Sequence, residues 1–384
     1  MERGARVLLR ADLNVPLDGG RVTDDARIRG ALPAIEDLRA RGARVIVCSH
    51  LGRPRERQPE TSLTPVSARL GELLGTPVRQ APTVVGEEAR READALEDGE
   101  ILVLENTRWE PGETENDPDL ARELASLAEL YVDDAFGTAH RAHASNVGVT
   151  EHLPAIAGPL LEREVVTLSE VVESPDRPLV VVLGGAKVTD KIALIDRFME
   201  IADALLIGGA MCFTFFRAQG LSTGDSLVEE GEGVPTARRA LAAAESSACR
   251  LLLPTDLVLG SAFDAEAERR ELSGVEVPEG WMGLDVGSET TATYDREIEA
   301  AATVFWNGPM GAFELEPFAS GTRAVAESVA ASGAKSVVGG GDSGAALAQF
   351  GLADRVWHLS TGGGASLELL EGKPLPGVGA LDDA

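Results

Sequence analysis

Residues 179–191 have the sequence LVVVLGGAKVTDK, and this stretch indicates how the chain folds. Its five leading apolar residues predict a strand buried on both faces, as in a parallel sheet. The glycines that follow predict a turn into a helix, with Lys187 at the start of that helix. Backbone N–H groups, the helix dipole and an ammonium group would meet there, which suits a phosphate. The alternative is a tight turn with two solvated lysines, but only four of the 35 basic residues are lysines and two stand together here.

Length and composition favour a globular α/β protein of two domains. The chain has 384 residues, 44% of them hydrophobic, and 42 glycines, which exceeds one ordinary domain and does not resemble a disordered chain. No stretch reaches the roughly 18 apolar residues of a membrane span, and the first residues enter a strand rather than a secretory leader. Three distant cysteines suggest neither a disulfide framework nor a zinc site. We therefore expect a cytoplasmic protein with no membrane partner.

The chain is strongly acidic, with a formal net charge of −28. This charge argues against nucleic acid as a partner, because phosphate contacts need a basic surface. It leaves room for a local basic pocket. The excess of acid over lysine also resembles proteins of salt-loving organisms, in which high salt screens the self-repulsion. Such a halophile-like acidic surface bears on the conditions of activity rather than on its chemistry.

Apolar β-type segments alternate with helical segments along the chain, which predicts parallel sheets with helices on both faces. The predicted strands are residues 7–9, 45–48, 101–104, 130–132, 179–183, 204–207, 251–253, 303–306, 336–338 and 355–358. The predicted helices are residues 29–41, 65–74, 118–127, 191–202, 235–246 and 321–331. So many strands exceed one domain. We therefore divide the chain near residues 150–154, and segment 160–173 predicts a helix that connects the halves.

In the first half, polar segments follow four successive strands. They are residues 10–16, 49–54, 105–109 and 133–143. Ligands of parallel α/β domains bind at the carboxyl ends of the strands, so these segments are expected at one edge of a sheet. The three segments after the first each deliver an arginine to this edge, Arg53, Arg108 and Arg141, whose planar group suits phosphate and carboxylate. On so acidic a chain, this predicts a pocket for a small, highly charged anion.

Other residues would complete this pocket. Arg27 falls in the loop region before the first long helix, and Asp12 and Asn14 would orient a hydroxyl or position an arginine. Each arginine alone could instead be solvated or paired with a carboxylate, but the placement of the set at equivalent strand ends favours the pocket. His140 and His143 have a spacing that could bind a metal on one helical turn, although no third ligand is evident.

The second half has four glycine-rich segments, each directly after a predicted strand. They are residues 184–187, 208–211, 307–314 and 339–345, and a fifth glycine cluster at 361–366 precedes a helix. Four such turns in one sheet suggest a surface where backbone approaches a ligand closely. Small residues that pack helices tightly onto the sheet are the alternative.

Residues 340–343 place amides and a hydroxyl at the start of a helix, which suits a polyphosphate. Asp342 is a candidate ligand for Mg²⁺, and Glu314 could accept a hydrogen bond from a ribose hydroxyl. The chain has neither a G-x-x-x-x-G-K-[ST] loop nor the motifs of protein kinases. The nucleotide site predicted here is therefore of another type.

Taken together, these segments resemble phosphoglycerate kinases, in the order and at the spacings of that family. The resemblance runs from Arg6 to about Leu381. It is strongest at residues 10–16, 49–54, 134–141, 184–191, 307–314, 339–343 and 360–371. It implies two Rossmann-like lobes with parallel sheets, joined by a hinge. Residues 1–154 would form the 3-phosphoglycerate lobe and 155–364 the nucleotide lobe, with 365–384 returning to the first. Hinge candidates are 150–154, 314–317 and 361–364.

The resemblance also implies a reaction. The family consists of glycolytic and gluconeogenic phosphotransferases with a carboxyl group as acceptor. They transfer a phosphoryl group reversibly between 1,3-bisphosphoglycerate and ADP, which gives 3-phosphoglycerate and ATP, and they are usually monomers that use Mg²⁺. The acyl phosphate needs no general base, so catalysis would rest on hinge closure and charge stabilisation.

By motif, the roles of the family carry over to individual residues. The implied 3-phosphoglycerate site consists of Asp12, Asn14, Arg27, His50, Arg53, Arg108 and Arg141. The implied nucleotide site consists of Gly185, Ala186, Lys191, Gly209, Pro309, Glu314, Gly340, Gly341, Asp342 and Ser343, with Asp342 as the Mg²⁺ ligand. Arg27, Lys187 and the amide of Gly341 would stabilise the transferred group.

The chain departs from the family pattern at three positions. Asp133 stands in place of Asn, Ala210 in place of the third glycine of the adenine-side turn, and Ser343 in place of a common Thr. Two other functions stay open. A dinucleotide or nucleotide-sugar enzyme with paired Rossmann lobes lacks support, because the chain has no G-x-G-x-x-G turn that is followed by an acidic residue about 20 positions later. A binding protein without turnover is disfavoured, because Lys187, Arg27 and Asp342 are all present.

Overall fold

The computed structural model describes residues 2–54 and 56–382. Contacts group the chain into two compact units, residues 1–166 with 374–384 and residues 167–373. The lobe limits inferred from the sequence stay predictions. Residues 1, 383 and 384, which end the predicted lobes, lie outside the described residues. Within the described part, none of the helices has the length and apolar character that crossing a membrane requires.

The first unit is built around a parallel sheet of six strands, in the order β5-β6-β4-β1-β7-β8. Its strands are β1 (Arg6–Arg10), β4 (Arg44–Cys48), β5 (Arg79–Gln80), β6 (Ile101–Val103), β7 (Leu130–Asp133) and β8 (Ala155–Ala157), and β2 (Leu17–Asp18) and β3 (Arg21–Val22) form a small hairpin. Its helices are α1 (Ala26–Ala40), α2 (Thr64–Leu74), α3 (Glu87–Asp94) and α4 (Pro118–Ala125). Short 3₁₀ helices cover Pro59–Thr61, Thr107–Trp109, Phe136–Thr138 and Gly148–Glu151. Helix α5 (Pro159–Glu173) follows β8 and contains the sequence boundary between the two units.

Both faces of this sheet are covered, because its side chains alternate between two apolar clusters. Val7 and Leu9 belong to one cluster, whereas Leu8 belongs to the other. Strand β4 divides in the same way, with Val45 in the first cluster and Ile46 in the second. The continuous apolar segments of the sequence therefore mark buried strands with helices on either side, as predicted.

The second unit contains another parallel six-stranded sheet, in the order β11-β10-β9-β15-β16-β17. Its strands are β9 (Leu179–Leu183), β10 (Ala204–Ile207), β11 (Arg250–Leu252), β15 (Thr303–Asn307), β16 (Lys335–Gly339) and β17 (His358–Leu359). The helices around it are α6 (Ile192–Ile201), α7 (Met211–Ala218), α8 (Gly233–Ser246), α9 (Ser288–Glu299), α10 (Ser320–Ala331), α11 (Gly341–Gln349) and α12 (Gly364–Leu370), with 3₁₀ turns at Glu316–Phe318 and Ala353–Arg355. Strand β9 has the predicted bounds, and the last strand starts later than predicted because Ala353–Arg355 forms a 3₁₀ turn.

An antiparallel sheet in the second unit was not predicted. It consists of β12 (Asp256–Gly260), β13 (Arg269–Ser273) and β14 (Met282–Val286), in the order β13-β12-β14. Strand β13 is mostly exposed and has the sequence RRELS. A strand of charged residues carries little of the apolar pattern from which strands are predicted.

Asp134 fixes the start of α5. Its Oδ1 accepts hydrogen bonds from the amides of Leu160, at 2.7 Å, and Leu161, at 3.4 Å. Burial raises the pKa of this carboxyl to about 7, although the same amides oppose the shift. A polar residue just after β7 therefore sets where the long helix begins.

The chain returns to the first unit at its end. Helix α13 (Pro376–Gly379) begins beside the loop after β7, where the amide of Gly377 donates to the carbonyl of Ala139 at 2.8 Å. Asp382 pairs with Ala155 through two hydrogen bonds, of 2.8 Å and 2.9 Å. The described residues of this segment thus complete the outer edge of the first sheet at β8.

Candidate active site

The polar segments of the first unit lie at one edge of its sheet. Strands β6, β4, β1 and β7 are direct neighbours and run parallel, so the segments that follow them meet. Arg10, the last residue of β1, lies in register with Cys48 on one side and Asp133 on the other. The predicted anion-binding segments are therefore adjacent in space.

Positive charge gathers at this edge, in what we call the basic cluster. Its members are Arg10, Arg27, His50, Arg53, Arg108, Arg141 and His143. The pKa of His50 lies well below its ordinary value because the ring is buried and because Arg10, Arg108 and Arg27 repel its charged form. The pKa of Arg108 is lowered by burial, by Arg10, and further by Arg53 and Arg141. Mutual repulsion of this kind predicts an anion as the ligand.

Arg27 is held by a carboxylate. Its Nη1 donates to both oxygens of Asp12, at 3.0 Å and 2.9 Å. It lies in the first turn of α1, so its placement in the loop before that helix was wrong. The apolar positions of α1 begin only at Ile28, whereas the helix begins at Ala26, whose amide donates to Asp24 at 2.9 Å. The apolar pattern therefore does not predict the first turn of α1.

Asn14 and Arg108 hold the same loop. The side-chain oxygen of Asn14 accepts from the amide of Gly52 at 2.8 Å, and Arg108 donates to the carbonyl of Gly52. The neighbouring Arg53 has an exposed side chain, as does Arg141. Within residues 2–54 and 56–382, neither of these two arginines forms an ion pair with a carboxylate. Both are thus available to a ligand.

Arg10 was not singled out by the sequence, although it is almost wholly buried. It donates to the hydroxyl of Ser145 at 2.9 Å and to the carbonyl of Ala11 at 2.6 Å, and its Nη2 lies 3.3 Å from Nδ1 of His50. Arginine only donates, so Nδ1 of His50 accepts and its Nε2 carries the proton. His50 is then a neutral N–H donor at the anion site. The one signal in the sequence is an arginine that directly follows the apolar residues 7–9.

The second site is a cavity of about 380 Å³ in the second unit. It lies at the carboxyl ends of β9, β15 and β16, which are neighbours in the sheet. Its lining combines glycine backbone with two ammonium groups and two acidic side chains; the lining residues are Gly184, Gly185, Ala186, Lys187, Asp190, Lys191, Asn307, Gly308, Gly340, Gly341, Asp342, Ser343, Gly363 and Leu367. The predicted phosphate-binding segments thus share one concave surface.

Lys187 is exposed at this cavity but does not begin a helix, so that prediction was wrong. Helix α6 begins only at Ile192. The intervening residues form a turn in which the amide of Lys191 donates to the carbonyl of Val188 at 3.0 Å. Val188 is fully buried, and this anchored turn occupies the place of the expected first helical turn.

Lys191 lies deeper and is fixed by an amide. Its ammonium donates to Oδ1 of Asn307, whose Nδ2 donates to the carbonyl of Gly339 at 2.8 Å. Burial lowers the pKa of Lys191, while Asp190, Asp342 and Glu371 raise it. Asn307 therefore links one cation of the cavity to the end of β16.

The glycines at this site differ in how closely other atoms approach them. A Cβ on Gly184 would overlap the carbonyl oxygen of Pro309, and one on Gly209 would lie 2.5 Å from the amide nitrogen of Gly185. These glycines let three loops pack backbone against backbone. Gly341 differs, because a Cβ there would meet no atom within 4 Å.

The remaining predicted nucleotide residues have distinct environments. Gly340 has φ +91°, and a Cβ on it would lie 2.7 Å from Nδ2 of Asn307. Ser343 is fully buried and its hydroxyl accepts from the amide of Gly308 at 2.7 Å, so it joins the loops after β15 and β16. Glu314 is exposed and does not line this cavity.

The side chains at this cavity suit a metal cation that is also bound by oxygen atoms of a ligand. Among residues 2–54 and 56–382, no group of three or more histidines, cysteines or acidic residues could hold a metal by itself. Asp342 offers one exposed carboxylate in the first turn of α11. Mg²⁺ usually takes one or two carboxylates and completes its shell with water and phosphate oxygens, and Asp342 fits that pattern.

Comparison with known proteins identifies the family of this chain. A family model described as Phosphoglycerate kinase matches residues 2–373. The chain belongs to the phosphoglycerate kinase family. A curated phosphoglycerate kinase of Rubrobacter xylanophilus is 56% identical over 382 residues, which cover 99% of this chain and 96% of that protein. The phosphoglycerate kinase of Chloroflexus aggregans is 54% identical over 388 residues, covering 99% of this chain and 97% of the relative.

Solved phosphoglycerate kinases have the same fold. The structure from Coxiella burnetii superposes with a TM-score of 0.90 at 42% identity, covering 98% of this chain and 96% of that one. The structure from Pyrococcus horikoshii gives a TM-score of 0.83 at 32% identity, with 99% and 96% covered. The predicted fold class and the family resemblance are therefore confirmed.

Proposed function

We propose that this chain transfers a phosphoryl group reversibly between 1,3-bisphosphoglycerate and ADP, giving 3-phosphoglycerate and ATP in glycolysis and gluconeogenesis. The observation that carries the proposal is the basic cluster, which concentrates like charges on a chain whose net charge is −28. A small phosphorylated carboxylate would supply opposite charge to Arg53 and Arg141, which have no carboxylate partner among the described residues. Membership of the family supports the same reaction.

The two substrates would bind to different units. The acceptor would be held by the basic cluster together with Asp12 and Asn14. The nucleotide phosphates would occupy the cavity of the second unit, next to Lys187, Lys191 and the amides that begin α11. Gly209, Pro309 and Glu314 would form the base and ribose side of that site.

Charge stabilisation would carry the chemical step. An acyl phosphate is already activated, and its leaving carboxylate needs no proton, so no general base is required. We infer that Lys187 and Arg27 neutralise charge on the transferred group, assisted by the amide of Gly341. Because the substrates bind to different units, closure about a hinge would bring them together and expel water that would otherwise hydrolyse the acyl phosphate.

Asp342 would hold the Mg²⁺ that accompanies the nucleotide. When bound, the ion supplies positive charge to the nucleotide phosphates. The charged form of Lys191 is favoured by the nearby Asp342. Its ammonium would also offset negative charge on the nucleotide phosphates. Asp342 itself would orient the metal–nucleotide complex toward the start of α11.

We also propose that the protein acts as a cytoplasmic monomer, without nucleic acid or membrane partners. Its net charge of −28 supports the absence of a polyanionic partner. The same charge leads us to expect that activity and solubility benefit from salt, which screens repulsion among surface carboxylates.

A coupled assay tests the reaction. Purified protein is mixed with Mg-ATP and 3-phosphoglycerate, and product formation is coupled to NADH oxidation by glyceraldehyde-3-phosphate dehydrogenase, from low to multimolar salt. We expect turnover that requires both substrates and that rises with salt, after the coupling enzyme has been controlled at each salt concentration. Folded protein without turnover at any salt would instead support a binding protein that has kept the fold.

Gly341→Ala tests the nucleotide cavity. We expect Tm to stay the same or rise, because the added methyl meets no atom within 4 Å and Gly→Ala at a compatible backbone position stabilises by about 0.4–1 kcal/mol through the unfolded chain. The methyl would occupy the space where phosphate approaches the first amides of α11, so KM for ATP should rise by about tenfold, the cost of a lost hydrogen bond. KM for 3-phosphoglycerate should not change.

The matched control for that variant is Gly344→Ala, in the same helix. A Cβ there would make an ordinary contact of 3.7 Å with Leu359, and Gly344 does not line the cavity. An unchanged KM for ATP in Gly341→Ala would contradict the proposed path of the phosphates.

A further inference from the structure

A carboxylate outside the proposed substrate sites grips the loop that carries Lys187. Both donors of Thr189 point to Glu229: the Thr189 amide lies 3.1 Å from Oε2, and the Thr189 hydroxyl donates to Oε1. Thr189 stands two residues after Lys187 and two before Lys191. Glu229 does not line the nucleotide cavity, so it could influence the substrates only through this loop.

Glu229 is itself held by the helices behind the loop. Its amide donates to the hydroxyl of Thr214 at 3.0 Å, and Thr214 is a fully buried residue of α7. Gly233, the first residue of α8, packs so close that a Cβ on it would lie 2.6 Å from Cβ of Glu229. The backbone and Cβ of Glu229 are therefore held between α7 and α8.

The loop is also fastened on the other side of Lys187. The carbonyl of Gly185 accepts from the amide of Met211, the first residue of α7, at 2.9 Å. Val188 is fully buried. Helix α7 thus holds the loop directly at Gly185 and, through Glu229, at Thr189, while the side chain of Lys187 stays exposed between the two attachments.

We propose that Glu229 is a positioning residue that sets where the ammonium of Lys187 stands. The inference rests on the proposed function, because it assigns Glu229 to the step in which Lys187 stabilises the transferred group. A displacement of about 1 Å can cost a catalytic group as much as 10² in rate. Removal of the Glu229 carboxylate frees one of the two attachments, and it should therefore lower kcat more than it changes either KM.

The test is a double-mutant cycle in kcat. Glu229→Ala should lower kcat by about tenfold or more in the wild-type background, but by less than about twofold in the Lys187→Ala background. A residue that acts on the fold alone would lower kcat by the same factor in both backgrounds, and that result would overturn the proposal. Glu230→Ala, which removes an exposed neighbouring carboxylate, serves as the matched control and should leave kcat unchanged.

Variants at Thr189 examine the same contact from the other side. Thr189→Val loses the hydroxyl donor and keeps the shape, so kcat should fall, whereas Thr189→Ser keeps both donors and should restore most of the wild-type rate. If Glu229→Ala does not fold, the Thr189 variants test the proposal by themselves. Equal kcat for Thr189→Val and the wild type would overturn it. Absence of turnover in the wild type would instead refute the proposed reaction. Failure of the proposed reaction can therefore be told apart from failure of the proposed role of Glu229.

Discussion

Lys187→Ala is expected to lower kcat by about 10² or more while KM for both substrates changes far less. The ammonium is exposed at the cavity, and the loop that carries Lys187 is attached on both sides of it, so the backbone of Lys187 is held in place before the substrates arrive. A group of this kind stabilises charge that develops in the transition state more than charge already present in the ground state. Steady-state kinetics with both substrates varied would measure the separation of kcat from KM.

Folding should not change in this variant, since Lys187 makes no ion pair with any residue that the structure describes. The matched control is Lys335→Ala, which removes an ammonium that pairs with Asp176 at 3.0 Å, away from the cavity. It should leave kcat near the wild-type value. A tenfold rise in KM for ATP at unchanged kcat would show that Lys187 binds the ground state and the transition state equally well. That result would contradict its role in the transition state.

Arg53→Ala is expected to raise KM for 3-phosphoglycerate by about 10- to 100-fold, the range for a charge-assisted hydrogen bond worth about 1.5–3 kcal/mol. Arg53 is exposed, and its charge reaches Arg108 in the basic cluster. Because it has no carboxylate partner among the described residues, its removal should cost little stability. Affinity for ATP, measured by titration in the absence of 3-phosphoglycerate, should stay the same.

Arg57→Ala provides a control in the same loop. Arg57 stacks over Trp109, with its guanidinium carbon 5.5 Å from the ring centroid, and lies 3.5 Å from Glu110. Its loss should affect KM for 3-phosphoglycerate much less than the loss of Arg53. If Arg53→Ala instead weakened ATP, the assignment of the two substrates to the two units would be wrong.

The parallel sheets and the edges that carry the sites could be predicted because they depend on local patterns. Five apolar residues at 179–183 favour a strand buried on both faces, and β9 has those bounds. Neighbouring parallel strands bring their following loops together, so segments far apart in sequence could be assigned to one edge. The bounds of helices were less certain, since capping and first turns depend on polar contacts, as at Asp24 before α1.

Individual side-chain contacts between residues far apart in sequence escaped prediction. The link between Glu229 and Thr189 joins residues 40 positions apart, and no spacing rule connects them. Arg10 could not be recognised as a buried partner of His50, because burial of a charged side chain depends on the loops that surround it. Strand β13 was missed for a related reason, since pairing with β12 rather than apolar character holds it in the sheet.

The return of the chain to the first unit has a consequence for protein synthesis. Ribosomes extend a chain from its amino end, so the residues that pair with Ala139 and Ala155 are made after all of residues 167–373. Until then, the edge at β8 lacks its last hydrogen bonds and the contact of Leu381 with the apolar cluster behind the sheet. The first unit to emerge is therefore the last to be completed, and a nascent chain must carry its unfinished edge throughout translation of the second.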